Sequence, residues 1–110
     1  MKYMCLAYLD RGLTPGPHAA AQYPPVIQAM REAGALVDVG QLAARNESKT
    51  VRITNDTNDV VDGPPSSDGK DTTSPIAYFL IDCASLDDAL AWAARIPAAT
   101  YGSIEVRPTR

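Results

Sequence analysis

Residues 76–97 read "IAYFLIDCASLDDALAWAARIP", and this stretch decides the fold class. "IAYFLID" (76–82) has strand length and is apolar on both alternating sides, the pattern of a strand buried front and back. Ser85 with Asp88 three residues on then makes a capping box. Leu86, Ala89, Leu90 and Ala93 follow at helical spacing, in a stripe that stops at Pro97. "GSIEVRPTR" (102–110) adds a second strand, with Ile104 and Val106 on one face and Glu105 and Arg107 on the other.

The N-terminal half repeats the arrangement. "KYMCLAYL" (2–9) is a strand-length run, apolar on both sides, and reads as the middle of a sheet. A loop with two prolines and two glycines leads to "PPVIQAMREAG". Its prolines suit a helix start, Val26, Ile27, Met30 and Ala33 give an apolar side, and a glycine gives the stop. "ALVDVGQLA" (35–43) and "KTVRITN" (49–55) read as strands, and "DVV" (59–61) as a short partner across an "NDTN" turn. The order is βαβ(ββ)βαβ. It predicts an α+β ferredoxin-like plait, an antiparallel sheet covered by two helices on one face.

The other face of such a sheet stays open. Thr50, Arg52 and Thr54 of the third strand and the polar side of the last strand are expected to line it. The tyrosines and aliphatics of the two central strands lie beside them. A patch of that kind needs a cover, so the expected state is a homodimer with a mixed apolar and charged cleft.

Composition sets the outer bounds. A chain of 110 residues suits one domain, 1–110, with one core. With 45% hydrophobic and 21% charged residues it has the profile of a folded globular protein. A net charge of −3 without long charge runs argues against nucleic acid or an anionic membrane as partner. No run approaches the ~18 apolar residues that span a bilayer, and "MKYMCLAYLDRG" is charged too soon for a secretory leader, so the expected location is cytoplasmic. Cys5 and Cys83 stand apart from any CxxC or Cys/His cluster, which leaves metal binding without support; in apolar strand-like runs they read as buried inert thiols, with a disulfide or a nucleophile as the alternatives. "DGPPSSDGK" lacks the GxxxxGK[ST] spacing of a phosphate loop and precedes a strand.

Taken together, "MKYMCLAY", "AGALVDVGQLA", "TVRI", "DGP" (62–64), "YFLID", "LDDALAWAARIPAA" and "GSIEVRP" resemble the DGPF branch of the YCII-related family of small dimeric α+β barrel proteins. The resemblance covers nearly the whole chain. It implies a dimeric α+β barrel without cofactor, and related barrels include lyases, isomerases, polyketide cyclases and monooxygenases acting on hydrophobic, often aromatic or ketonic molecules. Where the family's loop runs Asp-Gly-Pro-Phe, Pro65 replaces the phenylalanine, and Ile76-Ala77 stands where a glycine pair is usual. The connection is about three residues longer. Within "VVDGPPSSDGKDTTSP" (60–75) the base, 60–65, is expected to be ordered and the tip, 66–74, to be mobile over the cleft or the dimer seam.

Seven residues carry the candidate chemistry. His18, the single histidine, titrates near neutrality and could act as a base, or be an exposed loop residue. Asp62 of "DGP" could orient a cation or act as a base, while Asp-Gly-Pro is also a turn in its own right. Asp38 interrupts the apolar "LVDVG", where burial would demand a partner and an edge facing water would not. Arg52 offers a fork for a carboxylate or enolate oxygen, with Glu105 or Asp62 as its expected ion-pair partner. Tyr3 and Tyr78 supply hydroxyls for a ligand. The functional expectation is a cofactor-independent enzyme that binds a hydrophobic small molecule and transfers a proton in an isomerisation, cyclisation or elimination. Its catalytic groups would be His18, Asp62 and Asp38, with Arg52, Tyr3, Tyr78 and Glu105 holding substrate. The alternatives are a non-catalytic binding or interaction protein, and a cofactor-free oxygenase.

Overall fold

The structure, a computed structural model, describes residues 1–9, 16, 18–65 and 74–110. Strand β1 (Lys2–Leu9) is followed by a 3-10 turn (Ala19–Gln22), helix α1 (Tyr23–Glu32) and strand β2 (Leu36–Gln41). A hairpin of β3 (Lys49–Thr54) and β4 (Thr57–Asp62) comes next. Strand β5 (Pro75–Asp82), helix α2 (Leu86–Ala93), the short helix α3 (Ala98–Tyr101) and strand β6 (Gly102–Pro108) complete the chain. The main sheet has the order β2-β5-β1-β6, every neighbouring pair antiparallel. Both βαβ crossovers place their helices on one face, so the chain has the ferredoxin-like plait.

Local chemistry accounts for the helices. Prolines occupy the first positions of α1, where their missing amide hydrogens cost nothing. The helix ends where Gly34 takes φ +71° and the Ala35 amide donates back to the Met30 carbonyl at 2.9 Å, a left-handed glycine cap. At α2, Ser85 Oγ accepts from the Asp88 amide at 3.2 Å, as its capping pattern predicts. The stripe on α2 is rotated from the expected one. Ala89 and Ala93 are buried with Ile96 and Trp92 is half-buried, whereas Leu86 and Leu90 are exposed. The helix also stops at Ala93, short of Pro97. The small alanines let α2 lie close to the sheet, and Trp92 lies at its flank with the Arg95 guanidinium 4.7 Å from its ring centre.

The core lies between the helices and one sheet face. Across the strands it reads Val39–Phe79–Cys5–Val106 and Gln41–Ala77–Ala7–Ile104, with Met30 of α1 and Ile96 closing over it. Phe79, Met30, Ile81 and Ile96 are fully buried, each contributing about 1.5–3 kcal/mol by removal from water.

The β3–β4 hairpin forms its own two-stranded sheet. Its two-residue turn is Asn55-Asp56, at φ 52° and 64°, values that Asn and Asp tolerate and that match strand twist. This is one residue earlier than the sequence suggests, and β4 is correspondingly longer. Val51, Ile53 and Val60 share one hairpin face and are 62%, 71% and 58% exposed. The hairpin therefore does not join the open face of the main sheet, contrary to the expectation for Thr50, Arg52 and Thr54. The radius of gyration, 15.8 Å, exceeds the ~13 Å of a compact chain of this length, as a projecting hairpin requires. No described helix is long and apolar enough to cross a membrane. The 66–73 part of the tip expected to overhang the cleft lies outside the described residues.

Candidate functional site

Strand alternation gives the main sheet two unlike faces. On the open face one cross-strand row reads Asp38–Leu80–Met4–Arg107, and the next reads Gly40–Tyr78–Leu6–Glu105. Apolar side chains fill the centre and charges stand at the edges.

Asp38 reaches this face through a bulge. The pairing of β2 with β5 shifts between Leu36 and Asp38, so Val37 is the extra residue. Strict alternation from half-buried Leu36, which packs against the core, would have turned Asp38 toward the helices. Instead, Asp38 is exposed. Its Oδ1 accepts from the Val39 amide at 2.9 Å and its Oδ2 accepts from the Tyr78 hydroxyl at 3.1 Å. That bond and the carboxylate charge raise the Tyr78 pKa above its ordinary value. At the opposite edge the Tyr8 hydroxyl donates to Glu105 Oε1 at 3.1 Å, and Arg107 pairs with Glu105 Oε2. Desolvation first, then the Glu105 bond, raises the Tyr8 pKa.

On the helix side, a cavity of about 660 Å³ opens between the 3-10 turn, α1, the end of β2 and the start of β5. Its walls include Ile27, Val39, Ile76 and Phe79, and its polar side chains among the described residues are Gln41 and a phenol pair. Tyr23 and Tyr101 place their hydroxyl oxygens 2.7 Å apart. Tyr23 also stacks on Phe79, with ring centres 6.4 Å apart and planes 15° from parallel. Burial, reinforced by the Tyr101 bond, pushes the Tyr23 phenol well above its usual range. Tyr23 thus stays protonated at neutral pH, and the pair can donate to a ligand oxygen, or to one on which negative charge develops.

The structure separates the residues singled out from sequence. Asp38 and Tyr78 come together, and Glu105 lies on the same face at the other edge. Tyr3 lies on the helix side, 2% exposed, and its hydroxyl donates to Met1 Sδ at 3.3 Å. Asp62 closes the hairpin by pairing with Lys49, while Gly63 makes the turn at φ +94°. Arg52 meets neither Glu105 nor Asp62. Its Nη2 donates to the Pro65 carbonyl at 3.1 Å, because β3 belongs to the detached hairpin. His18 precedes the 3-10 turn and is exposed. No carboxylate or histidine is among the described residues lining the cavity, and no group of three potential metal ligands occurs among the described residues. Sequence reasoning missed the Tyr23–Tyr101 pair, since nothing in residues 78 positions apart signals that they meet.

Comparison with known proteins agrees with this architecture. The family model for the YCII-related domain matches residues 1–110, and the chain belongs to that family. An uncharacterized protein of Rhizobium meliloti (strain 1021) is 38% identical over 79 residues, covering 70% of this chain and 61% of that relative's length.

Proposed function

We propose that this member of the YCII-related family binds a hydrophobic small molecule carrying a carbonyl or hydroxyl oxygen, in the cavity between α1 and the sheet. The Tyr23–Tyr101 pair carries the proposal: two phenols 2.7 Å apart at the wall of a mainly apolar cavity that Gln41 also lines are a fixed polar handle. The ligand's apolar body sits against Ile27, Val39 and Phe79, and its oxygen accepts from the pair. The protein works as a homodimer, closed over the open sheet face where half-buried Met4, Leu6 and Leu80 form the apolar centre.

Naphthol, an aromatic ring with one hydroxyl, is a suitable probe. It should raise the melting temperature of the wild-type chain. Ile27→Trp, which fills the cavity, should remove the shift. Tyr101→Phe should weaken binding about tenfold, as loss of one buried hydrogen bond does. Binding that neither substitution alters would sink the proposal.

Proton transfer on a ketonic ligand is a second reading, favoured by one observation. A phenol held neutral by burial is a donor suited to an enolate oxygen. The described lining holds no carboxylate or histidine to serve as base, so binding is the leading reading. Deuterium exchange next to the carbonyl of a bound ketone separates the two: exchange no faster than in buffer leaves binding alone.

A further inference from the structure

The cavity between α1 and the sheet has a second polar handle besides its phenol pair. Gln41 is the last residue of edge strand β2, and it lines the same cavity as Tyr23 and Tyr101. Strand register puts it there. It pairs with Ala77 and heads the row Gln41–Ala77–Ala7–Ile104 on the face turned to the helices. That face otherwise carries core residues, and a polar side chain on it needs water or a partner. Gln41 is exposed, and none of the hydrogen bonds among the described residues engages its amide. Its backbone is fixed on both sides. Val39 pairs with Phe79 before it, and the Leu42 amide donates to the Ile76 carbonyl at 2.8 Å after it. A side chain set on a held strand positions a ligand atom more closely than one on a loop.

The spacing of the two handles is set by the sheet. Tyr23 stacks on Phe79, and Phe79 stands two residues beyond Ala77, the partner of Gln41. From Gln41 to Phe79 is thus one side-chain step along the strands and one strand across, a diagonal of roughly 8 Å. A fused pair of aromatic rings covers such a distance. Ala77 of the sheet and Ala19 and Ala20 of the 3-10 turn line the cavity as well, and their short side chains leave room for a flat body.

Resting on the small-molecule reading above, we infer that Gln41 determines specificity in this cavity. The ligand is a flat, fused-ring molecule with an oxygen at each end, one accepting from the phenol pair and the other bonded to the Gln41 amide. An amide offers two donor hydrogens and an acceptor oxygen, so Gln41 serves a hydroxyl or a carbonyl alike. Discrimination arises because a polar group placed to meet a ligand hydroxyl favours the molecule that carries it over the one that lacks it.

Two probes of one shape test the assignment: 2-naphthol, with a single oxygen, and naphthalene-2,6-diol, with one at each end. Isothermal titration calorimetry on the whole chain gives both affinities. The wild type should bind the diol about fivefold more tightly than naphthol, the yield of one added hydrogen bond. In Gln41→Leu, which keeps the bulk without a polar atom, that advantage should vanish, because the second hydroxyl leaves water for no partner. Gln41→Glu keeps an acceptor for the hydroxyl and should retain it. Circular dichroism checks each fold, and Gln41→Ala replaces Gln41→Leu, with the same expectation, if the latter does not fold. A diol advantage that survives loss of the amide, or one absent from the wild type, overturns the role of Gln41. The cavity reading stands in that case if Ile27→Trp still abolishes binding of both probes. Binding of neither probe, or binding that Ile27→Trp and Tyr101→Phe leave unaltered, overturns both.

Discussion

The ring of Tyr78 lies over Gly40 of the adjacent strand: a β-carbon built on Gly40 would sit 2.4 Å from Tyr78 Cε1 and 2.6 Å from its hydroxyl oxygen. The absent side chain is what lets the phenol lean across β2 to Asp38, which stands two residues before Gly40. Gly40→Ala should rotate the ring away and break the Tyr78–Asp38 bond. The displaced atoms are the far end of a side chain, so the stability cost should be only about 1 kcal/mol. The diagnostic readout is phenolate absorbance during alkaline titration, in which Tyr78 should ionise at a lower pH than in the wild type. An unchanged titration would show that the bond survives.

Gly102 presents the opposite case, because its obstacle is backbone. A β-carbon there would stand 1.8 Å from the Tyr8 carbonyl oxygen, where Leu9 pairs with Gly102 at the start of β6. Backbone in the central strand cannot give way cheaply. Gly102→Ala should lose about 3 kcal/mol, measured as a lower urea midpoint at constant slope. Gly16→Ala, with no atom of the described residues within 4 Å of the added carbon, should stay within about 0.5 kcal/mol of the wild type.

Tyr23 predicts a specific alkaline limit to stability. Its pKa is raised in the folded chain, first by burial and then by the Tyr101 bond, so the folded state holds this proton more tightly than the unfolded state. The contribution is fully present below the unfolded tyrosine pKa of about 10 and is lost as pH rises beyond it. Denaturation midpoints should fall from about pH 10 upward, and Tyr23→Phe should make that fall shallower. An equally steep fall in the variant would remove Tyr23 as its source.

The two cysteines should differ in reactivity. Cys5 is fully buried between the sheet and the helices, and burial, with Cys83 nearby, raises its thiol to about 11. Cys83 is half-buried at the end of β5. At pH 8 iodoacetamide should label Cys83 first and Cys5 only as the chain unfolds. Mass spectrometry of digested samples gives both rates. Equal rates in the native chain would contradict the packing around Cys5.

Much of the fold is legible in local pattern. Alternation and helical spacing place the four main strands and two helices, and the Ser85 cap and Gly34 stop mark ends set by nearest-neighbour chemistry. The site is less legible, because its contacts join residues far apart in the chain. Arg52 is a clear example. Its alternation on β3 is read correctly, yet which sheet β3 enters is a question of long-range pairing, and the hairpin closes on itself through Lys49 and Asp62. Tyr3 is another: an apolar run alternates two faces without stating which one the helices cover.

Asp38 marks the boundary between the two kinds of information. The sequence by itself determines that an acid interrupts an apolar strand and that such an acid needs water or a partner, because an unpaired carboxylate cannot be buried cheaply. It also determines the βαβ(ββ)βαβ order, since strand and helix periodicities are local properties of the chain. Only the tertiary structure decides that Val37 bulges, that Asp38 therefore turns to the open face, and that Tyr78 and Arg107 share that face with it. The physical reason is that register and facing are set by pairing between distant strands, where one extra residue moves a charge from the core to the surface.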